Sequence, residues 1–268
     1  MNILDKIIAD KYKEVALRKG LIPVKQLEQS VLFERKSPSL AAALKASETG
    51  IIAEHKRRSP SKATINNSLN VQDVAMGYEQ AGVCGMSVLT DGKYFGGSLD
   101  DLLIARAASS FPLLRKEFIV DEYQILEAKA YGADVILLIA AVLSQSEIKS
   151  LSEFAKSLGL DVLLEVHNLE ELQKSIMPSL DMLGVNNRNL KTFEVSLDIS
   201  KTLSTEIPDD FVKVSESGIS SIEAINELKP YGYKGFLIGE NFMKTDNPGR
   251  SAEAFIKELS PLTPKGGI

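Results

Sequence analysis

Short apolar runs recur along the chain at Ile51–Lys56, Met86–Thr90, Leu113–Ile119, Val135–Val142, Val162–His167, Met182–Asn187, Val212–Glu216 and Gly235–Gly239. Their spacing of roughly 20 to 35 residues is that of one strand–helix unit. Runs such as VILLIAAV are apolar throughout, the pattern of parallel strands covered on both faces. Between them the period changes to that of a helix. Val71–Ala81 places Val71, Val74, Ala75 and Tyr78 on one face, and Ile148–Leu158 does so with Ile148, Leu151, Phe154, Ala155 and Leu158. Ile222–Leu228 and Ala252–Leu259 continue the alternation. Gly82, Gly132, Gly159 and Gly232 follow helical stretches where left-handed caps are expected.

Eight strands alternating with helices predict an α/β fold closed into a (β/α)8 TIM barrel. The competing arrangement, an open doubly wound sheet, would gather its polar groups at one switch point. Here they end many strands, and no G-x-G-x-x-G or Walker A pattern occurs. The barrel is expected over residues 49–260 as a single domain. Residues 1–48 are expected to form a helical extension packing over one end. It has an apolar stripe of Ile3, Ile7, Ile8, Tyr12 and Val15 and a short helix at Leu40–Leu44. The Pro- and Gly-containing tail at 261–268 is expected to fray.

Composition narrows the setting. A net charge of −5 disfavours a nucleic-acid surface, which is usually basic. The longest apolar run, Val135 to Leu143, is too short to span a bilayer, and the amphipathic start does not resemble a signal peptide. Cys84 is the only cysteine, so an internal disulfide is impossible and a reducing, cytoplasmic setting fits. Cys84 itself reads as a small core residue.

The chemistry is expected at the carboxyl ends of the strands. These ends supply Glu54 and Lys56, then Thr90, Lys116 with Phe118, Glu165 with His167, and Asn186 with Arg188. Glu216-Ser217-Gly218 and Gly239-Glu240-Asn241 follow. Alternation along a strand puts Glu54 and Lys56 on one face, and likewise Lys116 with Leu114, and Glu165 with Leu163. Lysines and glutamates then converge on one cavity, an acid–base composition whose partners tune one another. The competing readings are plain: Glu54 and Lys56 as a structural ion pair, Lys116 within a solvated RKEF loop, and His167 as a residue behind the site. A His/Cys zinc site has little support, with only His55 and His167 in the chain.

Phosphate recognition is the second theme. VSESGISSIEAI leaves a strand through Ser217-Gly218, and LIGENFM repeats the pattern at Gly239. In barrels of this kind phosphates commonly sit on backbone amides of the loops after strands seven and eight. The glycines read alternatively as turn formers only. SPSKAT offers Ser59 or Lys62 as a further anion contact, or is an ordinary turn.

Six blocks, IIAEHKRRSPSK, SVLTDGKYFGGS, LLRKEFIVDEYQI, EVHNLEEL, NNRNLKTFEV and VSESGI, occur in this order. With them the chain resembles the indole-3-glycerol phosphate synthase family over essentially its whole length, in the monofunctional form. The resemblance implies a carboxy-lyase of tryptophan biosynthesis that converts 1-(2-carboxyphenylamino)-1-deoxyribulose 5-phosphate to indole-3-glycerol phosphate, carbon dioxide and water. It implies Lys116 as general acid, Glu165 as general base, Lys56 with its partner Glu54 as a binder of substrate anions, and Asn186 as an orienting amide. Ser59, Phe95, Phe118, Arg188, Leu190 and Glu216 match substrate-contacting positions; Ser217, Gly218, Gly239 and Glu240 match the phosphate cradle. No metal or organic cofactor is implied. The expected partner is a small sugar phosphate, with no nucleic acid and no membrane, and the chain is expected as a monomer or weak homodimer.

Ala63 and Thr64 depart from the glycine and aliphatic residue that commonly follow SPSK. Glu117 stands where aspartate is common. Glu240 stands where serine is common, so its amide is expected to serve while its carboxylate turns away. The alternatives are another phosphate-binding barrel, such as phosphoribosylanthranilate isomerase, or a non-catalytic phosphate-binding barrel. The isomerase would carry a Cys–Asp pair, and no cysteine stands at a catalytic strand end.

Overall fold

The computed structural model describes residues 3–190 and 192–259. Eight parallel strands close into a barrel in chain order: β1 (Ile51–His55), β2 (Gly85–Leu89), β3 (Leu113–Lys116), β4 (Val135–Ile139), β5 (Asp161–Val166), β6 (Met182–Asn186), β7 (Val212–Glu216) and β8 (Tyr233–Ile238). The expected α/β barrel is thus the fold. Most strands end earlier than the apolar runs do, because the last residues of each run turn into the loops of the carboxyl face. The expected frayed tail lies outside the described residues.

Three helices precede the barrel: α1 (Ile3–Leu21), α2 (Val24–Glu28) and α3 (Leu40–Ala46). The rest alternate with the strands or cap their loops: α4 (Val71–Ala81), α5 (Gly92–Phe95), α6 (Leu99–Ala108), α7 (Glu122–Ala130), α8 (Gln145–Ser157), α9 (Leu169–Ser175), α10 (Asp198–Ser204), α11 (Ile222–Leu228), α12 (Glu240–Met243) and α13 (Pro248–Leu259). Their starts follow from local chemistry. Asn70, Asp91, Asp121 and Ser144 each accept a bond from a first-turn amide, and Ser144 with Glu147 forms a capping box.

Two apolar layers fill the structure. Inside the barrel, Ile52, Leu114, Leu137, Leu163, Met182 and Val214 pack with Leu40 and Leu44 of α3. Helix α3 therefore closes the amino end. Outside, strand residues such as Ala53, Val88, Ile136 and Val185 pack against the helical ring. Cys84 is buried in the inner cluster as a small core residue.

The extension divides between both ends of the barrel. While α3 plugs the amino end, α1 runs along α7, where Val15 packs with Tyr123 and Leu126. The first turns of α1 reach the carboxyl face, where Ile3, Leu4 and Ile7 line a cavity. The expected α1 stripe needs correction. The buried face is Ile7, Lys11 and Val15, an i, i+4, i+8 line, and Tyr12 is 50% exposed. A lysine occupies a core position because carboxylates meet it there.

Candidate active site

The carboxyl ends of the strands surround a cavity of about 410 Å³. Strand alternation puts Glu54, Lys116, Glu165, Asn186 and Glu216 on its inner wall, continuing the inward rows begun by Ile52, Leu114, Leu163, Gly184 and Val214. Ser59, Phe95, Phe118, Arg188, Leu190, Ser217, Gly218, Gly239 and Glu240 line the same cavity from the loops above. The residues matched to catalytic and substrate-binding positions, Lys56 among them, all line this one cavity, whereas Thr90 and His167, also named at strand ends, do not.

The floor is a charge cluster. Lys116 Nζ lies 3.3 Å from Glu165 Oε2 and also contacts Glu216 Oε2 from β7, on the far side of the barrel. Lys56 Nζ donates to Glu54 Oε1 at 2.6 Å, and Ser87 Oγ donates to Glu54 Oε2 at 3.2 Å. Burial disfavours the Lys116 ammonium, but Glu216, Glu165 and Glu54 outweigh it and hold its pKa above the usual value. Burial likewise favours neutral Glu165, yet Lys116 and His167 outweigh it and keep it ionised well below the usual carboxylate range. Glu216 goes the other way. Burial first, then the charges of Glu165 and Glu54, push it up to about 7 against the pull of Lys116.

Two glycines admit this cluster. A Cβ on Gly239 would sit 2.6 Å from Glu54 Oε1, and one on Gly184 would sit 2.4 Å from Glu216 Oε1. Any larger residue at either position would displace a carboxylate.

His167 stands behind the floor, with Nε2 3.3 Å from Glu165 and Nδ1 3.0 Å from Glu171. Burial lowers its pKa, but the two carboxylates raise it to about 10. Thr90 does not join the site. It lies one residue past β2 and faces outward, where its hydroxyl donates to Glu117 Oε2 at 2.8 Å and accepts from Arg115 Nε at 3.1 Å.

One side of the cavity is apolar. The rings of Phe95 and Phe118 lie 5.9 Å apart at a tilt of 41°. Ile3, Leu4 and Ile7 of α1 line the cavity too, and Leu137 of β4 and Leu237 of β8 line it from the inner faces of the strands. Sequence reasoning missed these five. The period of VILLIAAV places Leu137 inward, but nothing local marks it as lining a cavity rather than filling a core.

The opposite side is built from backbone. Ser217 and Gly218 both have positive φ, +66° and +79°, so the chain after β7 turns sharply at the cavity rim. Gly239 and Glu240 open the loop after β8 beside it. The Glu240 carboxylate, expected to turn away from the phosphate, accepts from Lys62 Nζ at 2.6 Å. Lys62 belongs to a tight turn after β1 in which Ser59 and Lys62 exchange backbone bonds of 2.8 and 3.0 Å. Arg188 is steadied by a bond from its guanidinium to the Phe193 carbonyl at 3.0 Å.

A molecule bound here would meet an aromatic wall, a paired ammonium and carboxylate at the centre, and the backbone of the loops after β7 and β8 at the far rim. Among the described residues no helix is long and apolar enough to cross a membrane.

Comparison with known proteins agrees with the geometry. The family model described as indole-3-glycerol phosphate synthase matches residues 4–259. An indole-3-glycerol phosphate synthase of Bacteroides thetaiotaomicron is 47% identical over 258 residues, covering 96% of this chain and 99% of that protein. Solved structures share the fold at low identity. KGPDC from Streptococcus mutans superposes with a TM-score of 0.60 at 12% identity, over 78% of this chain and 96% of that one. A thiamine phosphate pyrophosphorylase from Pyrococcus furiosus does so with a TM-score of 0.57 at 16% identity, over 82% and 98%. With its family model spanning nearly the whole chain and a close full-length relative, this chain belongs to the indole-3-glycerol phosphate synthase family.

Proposed function

We propose that the chain closes the indole ring of 1-(2-carboxyphenylamino)-1-deoxyribulose 5-phosphate, releasing carbon dioxide and water. The observation that carries this reading is the position of Lys116. Its ammonium sits between Glu165 and Glu216 in a cavity lined by Phe95 and Phe118 on one side and by the loops after β7 and β8 on the other.

The aryl group packs against Phe95, Phe118 and the α1 side chains. The phosphate is held by the amides around Ser217, Gly218, Gly239 and Glu240. Lys56, Arg188 and Ser59 meet the anionic and hydroxyl groups between, Leu190 covers them, and Asn186 orients the reacting atoms.

Lys116 donates a proton to the ketone oxygen as the ring carbon bearing the carboxylate attacks the carbonyl carbon. Carbon dioxide leaves, and its bonding electrons return to the ring. The new hydroxyl then takes a proton from Lys56 and departs as water, while Glu165 accepts the proton lost from the adjacent carbon and a carbon–carbon double bond forms. Glu54 holds Lys56, which assists the dehydration. At 3.3 Å, Lys116 and Glu165 stabilise each other's charged forms and resist proton transfer. A substrate oxygen inserted between them weakens that attraction and brings both pKa values back toward a working range. The cellular setting is the cytoplasm, where the buried Cys84 stays reduced, and the enzyme acts as a monomer or weak homodimer.

The test is indole fluorescence growing from the carboxyphenylamino substrate, with its dephosphorylated analogue as comparison. The chain has no Trp, so protein background is low. Turnover that strongly prefers the phosphorylated compound supports the reading. Absence of fluorescence growth at high enzyme concentration overturns it.

A further inference from the structure

No step above uses Lys11, yet it is the most deeply placed cation of the amino-terminal helices. It is 1% exposed, and its Nζ lies 2.9 Å from Asp91, 3.1 Å from Glu117 and 2.8 Å from Glu14. Burial alone would discharge a lysine, and these carboxylates hold it in the charged form. A buried ammonium with several carboxylates is retained only where its geometry matters to something else or where its partners need it.

Both deeply buried partners lead directly to the aromatic wall. Asp91 turns Oδ2 to Lys11, while its Oδ1 accepts from the amides of Tyr94 at 2.6 Å and Phe95 at 3.3 Å. The short turn that presents Phe95 is therefore built on Asp91. Glu117 Oε1, which meets Lys11, also accepts from the Phe118 amide at 2.8 Å. On α1 itself, Ile7 lies one turn before Lys11 on the same buried face and lines the cavity. One ammonium thus joins the three segments that supply Phe95, Phe118 and the α1 side chains.

We propose that Lys11 is a positioning residue for the aryl end of the cavity, fixing α1 and the turns bearing Phe95 and Phe118 as one wall. It touches no reacting atom. Its loss loosens the grip on the aryl group and leaves the phosphate rim, on the opposite side, intact. The assignment of an aryl ligand to this wall rests on the ring-closing reading above.

Helix α1 keeps other ties without Lys11. Asp10 accepts from Tyr94 Oη at 2.5 Å and from Lys93 at 2.6 Å, and Arg18 pairs with Glu127. Lys11→Met is the primary variant. Asp91→Asn is the milder one, because it keeps an oxygen for the Tyr94 and Phe95 amides and replaces only the oxygen facing Lys11, with an amide nitrogen that cannot accept from it. In each, KM for the carboxyphenylamino substrate and the inhibition constant of inorganic phosphate are measured together.

The expected result is a KM raised about ten- to a hundred-fold, the scale of a small misplacement of a binding wall. kcat stays within about threefold, as for a loss of uniform binding, and the phosphate constant stays within about twofold. An unchanged KM, or a phosphate constant that weakens in step with KM, overturns the proposal. If Lys11→Met does not fold, Asp91→Asn decides by the same two readouts. Wild-type enzyme that fails to turn over the substrate overturns the functional reading, and this inference with it. Active wild type with unchanged variants overturns this inference alone.

Discussion

Lys116 Nζ stands 3.3 Å from Glu165 Oε2, a pairing between β3 and β5 that strand alternation alone aims at the barrel interior. The same ammonium reaches Glu216 on β7, so one cation serves carboxylates from two other strands. Removing it leaves those carboxylates buried without their main counter-charge. Lys116→Met is expected to lower kcat by about 10²–10⁴-fold, the usual contribution of a general acid. Substrate should still bind measurably, because the aromatic wall and the phosphate rim do not depend on the ammonium. Titration calorimetry with substrate and the fluorescence assay separate the two effects. Full activity in this variant would remove Lys116 from the proposed mechanism.

Glu165→Gln keeps the shape and loses the charge. It is expected to reduce kcat far more than it raises KM, since a base acts in the transition state rather than in ground-state binding. An equal change in both parameters would point to a structural role for Glu165.

Glu216 is the carboxylate whose protonation changes near neutrality, at about 7. Its raised value means that it is neutral below this pH and anionic above it. The added charge opposes a substrate carrying both carboxylate and phosphate. KM for wild type is therefore expected to rise as pH climbs from 6 to 8, relative to Glu216→Gln on the same substrate. Using one substrate for both proteins cancels the titration of its own phosphate. Parallel pH profiles would show that Glu216 does not titrate in this window.

His167 gives a stability signature. Its folded-state pKa is raised from the ordinary 6.5 to about 10, so the folded protein holds this proton more tightly than the unfolded chain. The contribution is complete below about pH 6.5 and is lost as pH rises through 10. It is on the order of a few kcal/mol, at roughly 1.4 kcal/mol per unit. The urea-unfolding difference between wild type and His167→Gln should accordingly be largest at pH 6 and shrink at pH 10. A difference that grows with pH would contradict the ion pairs with Glu165 and Glu171.

How much of the site was legible depends on where its partners lie along the chain. Glu54 in β1 and Lys56 just past its end sit two residues apart, so their shared face was readable, and the structure closes them to 2.6 Å. Lys116 and Glu165 were readable in the same way, because a period of two fixes the face of each strand. Thr90 stands at a strand end but on the outer face, where alternation after inward Ser87 and outward Val88 puts it, and Leu89 lines the cavity instead. Leu137 and Leu237 look like ordinary core residues, and only closure of the barrel turns them into a cavity wall. Nothing in the sequence singles out Lys11 among the charges of its amphipathic helix. Its partners Asp91 and Glu117 are remote in sequence, and no local pattern announces an ion pair formed by tertiary docking.

Glu240 tests the phosphate rim from the other direction. Its carboxylate stands at the mouth of the site, and the bond from Lys62 comes first among the causes that hold its pKa below the usual value. The pair closes at 2.6 Å, but its side chains are 44% and 47% exposed, so solvent screens it. A pair of this kind contributes about 0–1 kcal/mol. Two effects of Glu240→Ser act in the same direction: a negative charge leaves the rim, and Lys62 is released to face the phosphate. The backbone amide proposed to hold the phosphate remains. KM is expected to fall by up to about fivefold at low ionic strength, the equivalent of about 1 kcal/mol. Raising salt to 0.5 M brings the Debye length to roughly 4 Å and should erase most of the gain. KM measured against ionic strength for both proteins checks this. A KM that rises instead would mean that the Glu240 carboxylate is needed to hold the Ser59–Lys62 turn over the substrate.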